Sequence, residues 1–218
     1  MSQPLVVIGG GGFGREVLDV IEAVNLSQEQ PSYEAVGVLD DGHPNPALLA
    51  PYDVAHLGPV SLLNELAADI GYVIGVGDSA TRRTLDEALL GTGRNSPVLI
   101  HPMAAVGRRG VVLGPGTIIC SHVSITNHIR LGRHVHVNIN STIGHDAVLD
   151  DYVTLSPLVA ISGNVHAEAG AFFGTGAKIN PGLTIGRGAV VGTGAAVVKD
   201  VPAGQTVVGV PAKPRGGA

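Results

Sequence analysis

The chain has 218 residues, 44% hydrophobic but only 3% aromatic, with 32 glycines and a formal net charge of −5. So acidic and aromatic-poor a composition argues against a nucleic-acid partner, and a single cysteine, Cys120, excludes an intramolecular disulfide framework. No uncharged apolar stretch reaches the roughly 20 residues of a membrane span, and MSQPLVVIGG lacks a basic leader, so a soluble cytoplasmic protein without a membrane partner is expected.

The first element is the apolar run at residues 5–8, which predicts a buried strand. It feeds into Gly9-Gly10-Gly11-Gly12-Phe13-Gly14 and then an amphipathic helix over residues 15–24. This is G-x-G-x-x-G between a strand and a helix, where bare backbone and unpaired helix N–H groups can meet a phosphate. A second strand is predicted over residues 35–39 and ends in Asp40-Asp41; a third over residues 72–76 leads through Gly77-Asp78 to a helix near Ser79. The alternation predicts a small parallel sheet, a Rossmann-like α/β domain over residues 1–98.

The spacing fits a nucleotide-linked sugar better than NAD. Asp40 lies 26 residues beyond Gly14, against about 20 in the dinucleotide fingerprint, and fewer than 100 residues make only about half of a full dinucleotide fold. Asp40 and Asp41 either accept hydrogen bonds from a base or end the strand in a solvated turn.

From Val111 the chain repeats every six residues: VVLGPG, TIICSH, VSITNH, IRLGRH, VHVNIN, STIGHD, AVLDDY, VTLSPL, VAISGN, VHAEAG, AFFGTG, AKINPG, LTIGRG, AVVGTG, AAVVKD. Of the fifteen third residues fourteen are large and apolar, and the other is Ala167. A helix has no period of six, so the pattern means short coils stacked on an apolar core. It resembles the left-handed parallel β-helix of hexapeptide-repeat acyltransferases, in which three hexads make one triangular coil. That predicts five unbroken coils in a domain over residues 99–201, with a C-terminal cap or tail over 202–218. This half is basic, with 9 Lys/Arg against 5 Asp/Glu, whereas residues 1–98 hold 4 against 13. Either the solenoid takes a polyanionic ligand or the charge is ordinary surface decoration.

His122, His128 and His134 recur one hexad apart, but in a three-sided coil only residues three hexads apart stack on one face. No two of the nine histidines have that spacing, so no metal site is expected. His43, His56, His101 and His166 are read as surface or structural. His145 differs: it lies two residues past the inward Ile143 and beside Asp146. A neutral imidazole there could accept a proton from an amine or hydroxyl, with the carboxylate orienting it. The plainer alternative is a surface histidine in a polar turn.

Taken together, VVIGGGGFGREV, VGVLDD, VIGVGDSATRR, LIHPMAAV, NINSTIGHDAVLDDYVTLSPLVAISGNV, FFGTGAKINPGLTIG and VVGVPAKP resemble, in that order and over nearly the whole chain, the sugar O- and N-acyltransferases of the sialic-acid O-acetyltransferase type. Among these are the bacterial enzymes that acetylate nucleotide-linked 4-amino sugars. The resemblance implies His145 as general base, Asp146 as the acid that tunes it, and Asn138 as a substrate contact. It implies acetyl-CoA as co-substrate, in a groove between two solenoids of a homotrimer, touching Thr154, Gly163, Thr175 and Thr193. It places the sugar nucleotide on Gly11, Gly12, Phe13, Asp40, Asp41 and Val76. Many relatives have His where this chain has Phe13, and many have His where it has Thr154.

The expected function is therefore acetyl transfer from acetyl-CoA to the amino group of a nucleotide-activated amino sugar, by direct attack. Cys120 has no base assigned to it, so no acyl-enzyme nucleophile is evident. O-acetylation of sialic acid or another sugar hydroxyl would use the same base. A non-catalytic sugar-nucleotide-binding trimer is the alternative of a different kind.

Overall fold

The computed structural model describes residues 2–215; residues 216–218 of the predicted tail lie outside the described residues. The chain divides into two compact units, Met1–Pro102 and Met103–Ala218.

The first unit is a Rossmann-like α/β layer. Its elements are β1 (Gln3–Ile8), α1 (Gly12–Leu26), β2 (Tyr33–Leu39), α2 (Pro46–Leu49), β3 (His56–Gly58), β4 (Gly71–Ile74) and α3 (Ser79–Leu89). The sheet order is β3-β2-β1-β4 and every pair is parallel. Leu5, Val6, Val7 and Ile8 are all buried, as expected of a strand covered on both faces. Helix α1 buries Val17, Leu18, Val20, Ile21 and Val24, the stripe that a period of 3.6 produces. It starts at Gly12, inside the glycine run and ahead of the predicted Arg15. There it lies so close to β1 that a Cβ on Gly14 would collide with the Gly9 carbonyl oxygen. Strand β4 stops at Ile74, short of the predicted Val76, and Gly75 follows, where a Cβ would stand 2.6 Å from the Gly14 Cα.

The second unit is a left-handed parallel β-helix. Its first face carries Ser124–Ile125, Thr142–Ile143, Ala160–Ile161 and Lys178–Ile179 in parallel register. The second carries Val112–Leu113, Arg130–Leu131, Val148–Leu149 and His166–Ala167. The third carries Ile118–Ile119, His136–Val137, Thr154–Leu155 and Phe172–Phe173. Partners stand three hexads apart, one coil of the repeat, as Ile125 and Ile143 do. The third residue of each hexad points inward, and so does the first, as Val123, Val135, Ala147, Val153 and Val165 illustrate. Thr117 and Ser141 are the polar exceptions: Thr117 Oγ1 donates to the Gly132 carbonyl (3.0 Å), and Ser141 Oγ donates to the Ser156 carbonyl (3.1 Å) and accepts from the Val159 N–H (3.2 Å), so burial leaves neither hydroxyl unpaired.

The sixth residue of every hexad but the last turns the corner in left-handed backbone. From His122 to Asn164 these turns are non-glycine, with φ between 47° and 64°; from Gly170 to Gly194 they are glycines. His122, His128 and His134 recur because they occupy this turn.

The period breaks at both ends. Val106 pairs with Ile125 where a strict repeat would give Ser124, so the first coil is longer than the rest. Ile185 bridges Val201 where a strict repeat would give Ala203, so the coil there is shorter. The segment from Val201 then covers the last coil. Thr206 and Val207 pair with Val190 and Val191, Ala196 donates to the Gly209 carbonyl and accepts from Ala212 N–H, and Lys213–Pro214 runs antiparallel against Thr206–Val208.

Candidate active site

His145 and Asp146 form the corner between the first and second faces of the solenoid. Asp146 takes the left-handed turn (φ 60°), which folds its carboxylate back toward the preceding side chain. His145 Nδ1 lies 2.8 Å from Asp146 Oδ2, and the two side chains are 58% and 50% exposed. The turn is fixed from both sides: Asp146 N–H donates to the Asn127 carbonyl (3.1 Å), and the His145 carbonyl accepts from Asn164 N–H (2.8 Å). With Nδ1–H donating to the carboxylate, Nε2 keeps its lone pair and is the basic atom.

Gly163 stands one coil further along the same corner, against the His145 ring. Thr175 and Thr193 are exposed and stacked on a different corner, between the third and first faces, where Gly194 N–H donates to the Thr175 carbonyl (2.8 Å). Asn138 belongs to that corner too, and its Nδ2 donates to the Leu155 carbonyl (3.0 Å). Thr154 lies in the third face between His136 and Phe172 and is buried, 3% exposed. The structure thus gathers His145, Asp146 and Gly163 on one corner and Asn138, Thr175 and Thr193 on another, with Thr154 inside a sheet row. Ile139 and Leu158 are exposed apolar residues of that second corner; the repeat marked only the inward positions and left these turn residues unread. Among the described residues no three His, Cys, Asp or Glu side chains are grouped to hold a metal ion.

In the first unit, the C-terminal ends of β1, β2 and β4 bring the glycine run, Asp40-Asp41 and Val76 to one edge. The strand order reverses between β1 and β4, the place where open α/β sheets bind ligands. Gly11 and Gly12 face open space. Helix α1 begins there with Gly11 as a cap that offers no side-chain acceptor and with no acidic residue in its first turn, an electrostatic setting that suits an anion. Phe13 is half-buried.

Asp40 is tied to the loop: Oδ2 accepts from Gly10 N–H (2.6 Å) and Oδ1 from Gly42 N–H (2.7 Å). Asp41 Oδ1 accepts from Val60 N–H (2.9 Å). Two residues support this edge: Arg82, to which the sequence assigns no role, and His56, which it marks only as surface or structural. The buried Arg82 donates from Nη1 to the Val76 and Gly77 carbonyls (2.9 and 3.2 Å). His56 Nε2 lies 2.9 Å from the Asp40 carbonyl and 3.0 Å from that of Gly58, so this nitrogen carries the proton.

The PglD N-terminal domain family matches residues 4–89. No curated protein matches the chain. Among solved structures, the acetyltransferase domain of PglB from Neisseria gonorrhoeae FA1090, in complex with acetyl coenzyme A, is 33% identical with a TM-score of 0.87, covering 99% of this chain and 100% of that one. PerB from Caulobacter crescentus, in complex with CoA and GDP-perosamine, is 31% identical with a TM-score of 0.85, covering 98% and 97%. WeeI from Acinetobacter baumannii AYE is 31% identical with a TM-score of 0.83, covering 97% and 99%.

Proposed function

Since the chain belongs to the bacterial nucleotide-sugar acetyltransferases of the hexapeptide family, we propose that it acetylates the amino group of a nucleotide-activated amino sugar, with acetyl-CoA as donor and His145 as general base. The contact that carries this reading is the 2.8 Å approach of Asp146 Oδ2 to His145 Nδ1. It orients an exposed ring and leaves Nε2 to take a proton.

In this mechanism the acceptor nitrogen attacks the thioester carbonyl carbon, and His145 Nε2 removes a proton from that nitrogen as the N–C bond forms. The tetrahedral intermediate then expels the CoA thiolate, and the imidazolium returns the proton to sulfur. Asp146 stabilises the imidazolium in between. Cys120 is buried, 3% exposed, which favours direct transfer over an acyl-enzyme. Gly163 and the exposed hydroxyls of Thr175 and Thr193 are assigned to acetyl-CoA. Thr154, buried in its row, is given a supporting place behind them, and Asn138, tied to the next coil through the Leu155 carbonyl, is kept as a candidate acceptor contact.

The nucleotide is assigned to the crevice of the first unit. Gly11 and Gly12 leave the backbone open to a diphosphate at the α1 N-terminus, while Asp40, Asp41, Phe13 and Val76 border it. A GDP-linked amino sugar of the kind bound by PerB heads the panel of acceptors to test. The protein would be incubated with acetyl-CoA and UDP-, dTDP- or GDP-linked amino sugars while thiol release is followed. His145→Ala is expected to lower turnover roughly 10²–10⁴-fold, the usual share of a positioned general base, with acetyl-CoA binding unchanged. Full turnover in that variant would place the base elsewhere.

A further inference from the structure

We propose that Gly163 is a positioning residue for the base: its missing side chain is the space in which the His145 ring lies. The inference rests on the reading of His145 as base. From residue 111 to 200 the fifteen hexads supply fifteen fifth-position residues, among them Arg133, Ile139, Asp151, Pro157, Thr175 and Lys199, and glycine occurs once, at Gly163. The repeat therefore has no need of glycine at this position. Neither does the backbone, because Gly163 lies outside the left-handed region that its neighbour Asn164 occupies.

What distinguishes the position is the group against it. Gly163 comes three hexads after His145 and so sits one coil along the same corner. A Cβ placed on it would stand 2.5 Å from Cε1, 2.6 Å from Nε2 and 3.0 Å from Nδ1 of the imidazole. Those separations are far inside van der Waals contact, so either backbone or ring must give way.

The backbone is held. The Gly163 carbonyl accepts from Gly182 N–H (3.0 Å), Asn164 N–H reaches the His145 carbonyl (2.8 Å), and a Cβ on Gly144 would meet the Gly163 nitrogen at 2.6 Å. The ring, 58% exposed, can turn outward. Turning it separates Nδ1 from Asp146 Oδ2 and carries Nε2 away from its working place. A base acts only within hydrogen-bond reach of the proton it removes, and a displacement of about 1 Å costs on the order of 10²-fold.

The test is a cycle of Gly163→Ala, His145→Ala and the double variant in the full-length protein, read by kcat, by the acetyl-CoA Kd, and by the His145 imidazole resonances in NMR. Gly163→Ala is expected to lower kcat on the order of 10²-fold and to shift the His145 resonances, while the acetyl-CoA Kd changes only about twofold, because Gly163 is assigned to the donor through its backbone alone and that backbone is held in place. In the His145→Ala background the same change should cost nothing further, because it acts only through the ring. Unchanged kcat with unchanged resonances would overturn the inference. So would losses that multiply in the double variant, since the added Cβ would then act independently of the ring. A Gly163→Ala chain that fails to fold overturns it as well, because the backbone and not the ring would be carrying the contact. A fully active His145→Ala enzyme sinks the base assignment instead, and the resonances of Gly163→Ala still report whether the ring has moved.

Discussion

At the residue scale, the proposed chemistry depends on one nitrogen of His145 and what faces the other. Asp146→Asn keeps the side-chain size and the left-handed turn, which Asn tolerates well. It replaces a charged acceptor with an amide that can present either oxygen or nitrogen to Nδ1. Presenting nitrogen would reverse the tautomer and occupy Nε2 with hydrogen. A buried aspartate in the analogous role is worth about 10⁴ in turnover; Asp146 is half exposed, so steady-state kinetics should give a smaller loss, about 10- to 100-fold below that ceiling. The acetyl-CoA KM should barely move, because this contact strengthens as the imidazolium forms rather than on binding. The His145–Asp146 pair was legible in the sequence because its two members are adjacent. The bond from Gly10 N–H to Asp40 joins residues far apart in the chain and left no local mark. Gly163 left one, the lone glycine among the fifth positions, but its meaning needed the ring beside it.

At the scale of elements, the glycine run divides into positions that pack and positions that stay open. Gly14→Ala puts a Cβ into the Gly9 carbonyl oxygen and must push α1 off β1, with a destabilisation of about 1–3 kcal/mol typical of overpacking. Gly11→Ala meets nothing within 4 Å and should stay within about 0.5 kcal/mol. Urea unfolding followed by helical circular dichroism separates the two, since all α-helices among the described residues lie in the first unit. Helix α3 has its own check. Asp78 caps it by accepting from Thr81 Oγ1 (2.7 Å) and Thr81 N–H (2.8 Å), and these bonds hold its carboxyl below the ordinary 3.8. A depressed carboxylate stabilises the fold above its unfolded pKa, and that stability is lost as pH falls through the lower folded value. Asp78→Ala should therefore weaken the unit by about 1 kcal/mol at pH 7 and by progressively less in acid, on the same urea readout. The solenoid was readable because one rule, each strand pairing with the one three hexads on, repeats without variation through its middle. The rule fails where the coil lengthens before Ile125 and where it shortens before Val201, and there the hexad template could not follow. Strand β3 and helix α2, three and four residues long, carry too short a pattern to announce themselves.

At the scale of the whole molecule, Thr175 and Thr193, two of the residues assigned to acetyl-CoA, stand exposed on one solenoid corner, which the uncovered Ile139 and Leu158 share. A cofactor of that size needs a second wall, and a neighbouring copy of the chain would supply it. The protein is accordingly expected to be a homotrimer, and light scattering should return three times the chain mass; an active monomer would remove this account of the donor site. The covering of the last coil has a different consequence. A parallel stack rises by about the same 4.7–4.8 Å step as a cross-β fibril, and its open end is a template on which further chains can add. Here Thr184, Gly186, Val190, Gly192 and Ala196 already have their outward hydrogen bonds taken by residues of the segment from Val201 to Ala212. Growth from that end is blocked, so the protein can carry a row of near-identical apolar rungs at high concentration without polymerising from that edge.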